Sequence, residues 1–158
     1  MDNKKYVLLT GGAGFIGSSV AYYLLKDNYN IIIIDNFSNS DKSNIHKLPN
    51  QNNLLVFDRD ICNYYELEKI FIEYKISTIF HFAGLKSVAE SIEKPLDYYQ
   101  NNLVGTLNLL NLVNKYNIDD LIFSSSATVY GSQKSPLNEN TMVGIGITNP
   151  YGKTKYFI

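Results

Sequence analysis

The sequence predicts an α/β fold, a doubly wound parallel sheet with strand order 3-2-1-4-5. Three observations carry this. Short apolar runs alternate along the chain with longer segments of helical period. The run Ile31–Ile34 is β-branched at every position, as in a strand buried on both faces. A glycine turn separates the first apolar run from the first helical segment. Apolar strands alternating with helices are most economically arranged as a parallel sheet covered on both faces, and right-handed crossovers then set the order.

Each element has its own signal. Tyr6–Thr10 reads as the first strand. The helix from about Phe15 to Asp27 places Ile16, Val20 and Leu24 four apart on one face. Ile31–Ile34 and Leu54–Phe57 are the second and third strands. Asn63-Tyr64-Tyr65-Glu66 resembles a capping box, and the helix it opens carries Leu67, Ile70, Phe71 and Tyr74 on one side. Thr78–Phe82 is the fourth strand. Pro95 suits the first turn of a helix whose apolar stripe is Leu96, Tyr99, Leu103, Leu107, Leu110 and Val113. Leu121–Ser126 is the fifth strand. Residues 127–149 have no clear period and read as a loop, and Tyr151–Ile158 starts a last helix.

Composition removes several function classes. The chain has 158 residues, enough for one domain, with 45% hydrophobic and 18% charged residues, which excludes wholesale disorder. Fourteen basic and fifteen acidic residues leave a net charge of -1 and no basic footprint, so no nucleic-acid partner is expected. Cys62 is the sole cysteine, which excludes an internal disulfide or a cysteine-based zinc site, and no metal site is expected. The longest purely aliphatic run, Ile31–Ile34, is far too short to span a membrane. Met1-Asp2-Asn3-Lys4-Lys5 leads into the first strand with no apolar signal core, so a cytoplasmic protein is expected. His81 falls inside a strand and is read as a core residue.

Gly11, Gly14 and Gly17 form G-x-x-G-x-x-G between a strand and a helix. Glycine serves three demands there: a tight turn, close backbone approach to a pyrophosphate, and tight packing of helix on strand. The helix N-terminus then offers free N–H groups to phosphates. A plain glycine-rich turn would account for the triplet alone. Asp35, at the end of the second strand and eighteen residues after Gly17, adds an acceptor for both hydroxyls of an adenosine ribose. It would repel a 2′-phosphate, so the expected cofactor is NAD rather than NADP. Gly152-Lys153-Thr154 imitates the end of a P-loop, but Ile147 stands where that motif needs glycine.

The second constellation is Ser126, Tyr151 and Lys155. Strand C-termini face the ligand crevice in this architecture. Tyr151 and Lys155 are spaced i, i+4, on one helix face. An ammonium beside a tyrosine favours the phenolate, which can take a proton from an alcohol while a hydride leaves the same carbon. Thirteen tyrosines will also produce Y-x-x-x-K by chance, so the placement after a Ser-ended strand matters.

Together with these residues, several stretches resemble the extended short-chain dehydrogenase/reductase family, and within it the nucleotide-sugar epimerases. They are Gly11–Gly17, Asp35–Ser40, Asp60-Ile61, His81–Val88, Tyr98–Asn102, Ser124–Gly131 and Pro150–Lys155, in the right order over nearly the whole chain. The resemblance implies a Rossmann-type NAD-binding domain over 1–158, truncated, with the C-terminal nucleotide-sugar domain absent, so the chain resembles an N-terminal portion and is expected to be inactive alone. It implies NAD-dependent epimerisation at C4 of a UDP-hexose through a 4-keto sugar, with a nucleotide-sugar substrate and a homodimeric full-length form. Phe15 and Ile16 would lie against the pyrophosphate. Asp35, Asn36, Asn39 and Ser40 would hold the adenosine ribose, and Asp60 and Ile61 the adenine. Phe82, Ala83, Gly84 and Lys86 would line the middle of the cofactor, with Asn101 nearby. Ser126 would orient the sugar hydroxyl, Tyr151 would be the base, and Lys155 would hold the nicotinamide ribose. Dehydratases of the family carry an Asp-Glu pair where this chain has Ala127 and Thr128, which argues against water elimination. Another nucleotide-sugar epimerase, such as one acting on UDP-glucuronate, and a non-catalytic NAD-binding module are the alternatives.

Overall fold

The computed structural model describes residues 4–158. Met1-Asp2-Asn3, read above as free of an apolar leader, lies outside the described residues. The chain divides into two compact units. The first runs to Ala83 and takes in Leu107–Ser124, and the second is Gly84–Thr106 with Ser125–Ile158.

The first unit holds five strands, β1 (Lys5–Thr10), β2 (Ile31–Asp35), β3 (Leu54–Asp58), β4 (Lys75–His81) and β5 (Asp120–Phe123). All pairings are parallel and the order is β3-β2-β1-β4-β5, as expected. Alternate residues of the central strands feed two cores. Leu8, Ile32 and Ile34 join Leu67, Ile70 and Phe71 of α3 (Tyr64–Glu73) and Leu109 and Leu112 of a later helix. Val7, Leu9, Ile31 and Ile33 join Ala21 and Leu25 of α1 (Phe15–Lys26). Burial on both faces explains why β2 is aliphatic from Ile31 to Ile34, each fully buried. Asn63 caps α3 by accepting from the Glu66 N–H. His81 is buried and its Nδ1 lies 2.6 Å from Thr10 Oγ1, a core role as expected.

Three readings need correction. The buried stripe of α1 is Gly17, Ala21 and Leu25, one position on from Ile16, Val20 and Leu24, and Ile16 is exposed. Val20 and Leu24 still pack against the same core, but the buried positions include the small residues Gly17 and Ala21, which hydrophobic period does not register. A Cβ on Gly17 would strike the Gly11 carbonyl oxygen and lie 2.7 Å from Gly12 Cα, both backbone atoms. Gly17→Ala is therefore expected to cost about 3 kcal/mol in urea unfolding, an overpacking penalty that side-chain motion cannot relieve.

The second correction concerns β5, which stops at Phe123 rather than Ser126. Its partner β4 ends at His81, opposite Phe123, so the ladder closes with the Ser124 N–H donating to His81 O at 3.2 Å.

The third lies in the long helix after Pro95. Pro95 does take the first position of α5 (Pro95–Tyr98), but Tyr99–Val104 form a π-helical turn before α6 (Gly105–Tyr116). The wider turn advances the phase, so Tyr98, Asn102, Leu109 and Leu112 are buried while Leu96, Leu107 and Leu110 are exposed. The second unit also contains α4 (Val88–Glu93), capped by Ser87, a 3₁₀ turn at Ala127–Tyr130, and α7 (Pro150–Phe157). Asn149 caps α7, accepting from the Gly152 N–H at 2.7 Å. Gly152-Lys153-Thr154 lies inside this helix and does not form a phosphate loop.

Among the described residues, no helix is long and apolar enough to cross a membrane, and no group of His, Cys, Asp and Glu could hold a metal ion.

Candidate active site

The expected site residues fall into two sets, one in each unit. In the first unit the chain leaves β1 at Gly11, whose φ of +69° suits glycine. A Cβ there would lie 2.5 Å from the Ala83 N, so the turn passes directly against the chain leaving β4. Gly14 is the N-cap of α1 and makes no side-chain cap, so it satisfies none of the first N–H groups of that helix. Phe15 and Ile16 follow, both exposed, Phe15 at 81%.

Asp35 is 8% exposed and tightly held. Its Oδ2 accepts from the Ala13 N–H at 2.9 Å, tying the glycine turn to the end of β2. Its Oδ1 accepts from the Phe37 N–H and the Ser40 hydroxyl, each at 2.9 Å. Asn36 donates from Nδ2 to Asp60 Oδ2 at 3.2 Å, and Ile61 beside it is buried. Asn39 is exposed in the same loop. Phe82 and Ala83 continue β4, with the Phe82 N–H donating to Thr10 O at 2.9 Å. The structure thus brings together Gly11, Asp35, Ser40 and Ala83 around one turn, and Asn36 with Asp60.

In the second unit, Lys155 is 8% exposed, and burial lowers its ammonium from the ordinary 10.5 to about 8. Its Nζ lies 3.8 Å from where a Gly84 Cβ would be. Tyr151 sits one helical turn earlier in α7. Its ring meets Tyr98 edge-to-face at 6.4 Å between centroids. Tyr98 is fully buried, donates to Glu90 Oε2 at 2.9 Å and accepts from the Ser87 N–H at 3.0 Å. Burial, then the Glu90 carboxylate, raises the Tyr98 hydroxyl, so Tyr98 stays protonated and acts as packing for Tyr151. Ser126 begins the 3₁₀ turn with its Oγ accepting from Thr128. Lys86 is exposed.

Asn101 donates from Nδ2 to Asn102 Oδ1 at 2.9 Å. Asn102 is the residue whose role sequence reasoning missed, although it lies in the quoted stretch Tyr98–Asn102. It is buried within the π-helical turn and joins three segments. Its Oδ1 accepts from the Leu85 N–H at 2.8 Å, and its Nδ2 donates to Leu85 O and to Thr154 Oγ1, each at 3.0 Å. Thr154 in turn donates to Tyr151 O at 2.7 Å. Asn102 therefore anchors the helix that carries Tyr151 and Lys155. The only signal for it was an Asn in an otherwise apolar helical pattern.

A family model described as GDP-mannose 4,6 dehydratase matches residues 8–158. The chain belongs to this family. Among its relatives, UDP-glucose 4-epimerase 2 of Arabidopsis thaliana is 47% identical over 160 residues, covering 98% of this chain and 45% of that protein. The human UDP-glucose 4-epimerase is 44% identical over 162 residues, covering 96% and 46%. The crystal structure of UDP-glucose 4-epimerase from Bifidobacterium longum in complex with NAD+ and UDP superposes with a TM-score of 0.88 at 43% identity, covering 96% of this chain and 46% of that one. The chain thus spans a little under half the length of the relatives it matches.

Proposed function

We propose that residues 1–158 are the NAD-binding part of an enzyme that interconverts UDP-hexoses at C4. The observation that carries this reading is Lys155, held nearly buried with a lowered pKa one helical turn from Tyr151. The relatives named as UDP-glucose 4-epimerases support the sugar and the reaction.

The residues fit NAD. A Cβ at Gly14 would meet only the Gly11 carbonyl oxygen at 3.3 Å, so the turn leaves room for a pyrophosphate at the uncapped start of α1. Asp35, with Ser40 and Asn36, would hold the adenosine ribose, and Asp60 and Ile61 the adenine. Lys155, with Gly84 and Asn101, would take the nicotinamide end. Bound NAD supplies a reversible two-electron acceptor for the sugar C4. Tyr151 takes the proton of the C4 hydroxyl and later returns it, and Ser126 hydrogen-bonds the same oxygen. Although the family carries a dehydratase's name, elimination of water needs a further acid and base. Ala127 cannot ionise and the Thr128 hydroxyl is given to Ser126, which favours epimerisation. The reading carries with it a cytoplasmic location and a homodimer for the whole protein.

Nucleotide extracted from the purified intact protein is expected to be NAD or NADH by mass, and recovery of mainly NADP would overturn the Asp35 assignment. Asp35→Ala is expected to weaken NAD binding by about 1–3 kcal/mol, read by calorimetry, the worth of hydrogen bonds to a charged acceptor. The epimerase reading itself is tested by adding UDP-galactose to the intact protein and looking for UDP-glucose.

A further inference from the structure

The start of α4 carries the residues of a capping box, but in an opened form. Ser87 and Glu90 stand three apart, and the Ser87 Oγ accepts from the Glu90 N–H at 3.3 Å, the first half of that motif. In the second half a glutamate carboxylate reaches back to the serine N–H. Here a phenol stands between the two. The Ser87 N–H donates to the Tyr98 hydroxyl at 3.0 Å, and Tyr98 donates onward to Glu90 Oε2 at 2.9 Å. Both directions are fixed, because an amide N–H only donates and an ionised carboxylate only accepts. The other oxygen, Glu90 Oε1, faces Lys94 Nζ at 3.4 Å. Among the described residues Tyr98 is the largest fully buried side chain, and the far side of its story is Tyr151, whose ring it meets edge-to-face at 6.4 Å.

A helix cap needs no tyrosine. The closed box would satisfy the Ser87 N–H directly, without a buried phenol. The inserted ring adds a link between elements, from the start of α4 through Tyr98 at the end of α5 to Tyr151 in α7. The Tyr151 backbone is held separately, its carbonyl accepting from Thr154, which in turn accepts from Asn102. An anchored backbone still leaves a tyrosine its side-chain torsions. We propose that Glu90 is a positioning residue for Tyr151 and acts through Tyr98: the carboxylate tethers the phenol, and the tethered ring sets the Tyr151 ring. The inference rests on the epimerase reading, in which the Tyr151 hydroxyl must meet one sugar oxygen. Neither Glu90 nor Tyr98 need touch the substrate. A displaced Tyr151 ring costs rate rather than binding, because proton transfer depends on the placement of the acceptor while NAD and sugar are held by other groups.

The test measures turnover of UDP-galactose by the intact protein, expressed per bound NAD so that unfolded chains do not count. Tyr98→Phe keeps the ring and removes the tether. Glu90→Ala removes the acceptor. Each is expected to lower kcat about tenfold, with KM and NAD content unchanged. The double variant is expected to be no slower than either single one, since both cut the same chain of contacts. Glu90→Gln still offers an oxygen to the phenol and is expected to keep most of the wild-type kcat. If Glu90 only caps α4, its carboxylate can close on the Ser87 N–H in Tyr98→Phe and kcat stays at the wild-type level. That result overturns the proposal. So do losses that multiply in the double variant, or a Glu90→Gln as slow as Glu90→Ala. Each of these leaves the epimerase reading standing. A wild-type protein that holds NAD yet converts neither UDP-hexose overturns that reading, and this inference with it.

Discussion

Tyr151→Phe is expected to lose nearly all turnover while NAD stays bound. The substitution keeps the ring, and with it the edge-to-face packing on Tyr98, so α7 has no reason to move. Only the proton acceptor is removed. General-base contributions run to about 10²–10⁴ in rate, and no neighbour can replace the lost hydroxyl. Tyr98 is committed to Glu90 and Ser87, and Ser126 to Thr128. The expected loss is thus about a hundredfold or more in kcat with little change in KM. Steady-state rates and mass analysis of the extracted nucleotide check it together. Near-normal turnover would show that Tyr151 is a packing residue like Tyr98.

The second large effect is at Lys155, where function and stability are expected to move in opposite directions. Lys155→Met removes the ammonium proposed to hold the nicotinamide ribose, so NAD content and turnover should both fall. The folded chain should nevertheless gain stability at neutral pH. Burial lowers the folded value of Lys155 to about 8, below its unfolded value of 10.5. Between these two values the unfolded chain binds more protons, so the contribution of Lys155 to stability becomes more favourable as pH rises through this window. Below pH 8 the full cost of burying the ammonium is present, about 3 kcal/mol by the linkage between pKa and free energy. Urea unfolding at pH 7 should show Lys155→Met the more stable protein, with the gap closing toward pH 10.5. A methionine variant less stable than wild type at pH 7 would mean that the interactions of the lysine outweigh its burial.

Much of this was readable before the structure, for physical reasons that differ from residue to residue. β2 announced itself because a strand covered on both faces has no position for a polar residue until Asp35 at its end. Asn63 and Pro95 were legible because a helix N-terminus has local rules that tertiary context did not override. The failures are as specific. The α1 stripe was misplaced by one position because Gly17 and Ala21 are buried for their smallness, and a periodicity of large residues points beside them. β5 was overrun because a parallel strand stops where its partner stops, here His81, and nothing in Ser124-Ser125-Ser126 records that. The π-helical turn at Tyr99–Val104 was invisible because one extra residue per turn leaves no mark in composition. Tyr151 and Lys155 were singled out from their spacing and Ser126 from the end of the fifth strand, whereas Asn102 acts through hydrogen bonds to Leu85 and Thr154, partners distant in sequence.

Asp35 was described above as held by three donors, and counting acceptor capacity changes what it offers. A carboxylate presents about four lone-pair directions. The Ala13 N–H, the Phe37 N–H and the Ser40 hydroxyl take three of them. A ribose giving both of its hydroxyls needs two. The two backbone donors are fixed by the turn and the loop, but a serine side chain can rotate. On the proposed reading, Ser40 keeps the carboxylate satisfied and would turn its hydroxyl from Asp35 to the ribose when the ribose arrives. Recognition at this point is an exchange of one hydrogen bond and the addition of another. Its heat should be correspondingly small, and Ser40→Ala should make it larger by sparing the bond that is broken.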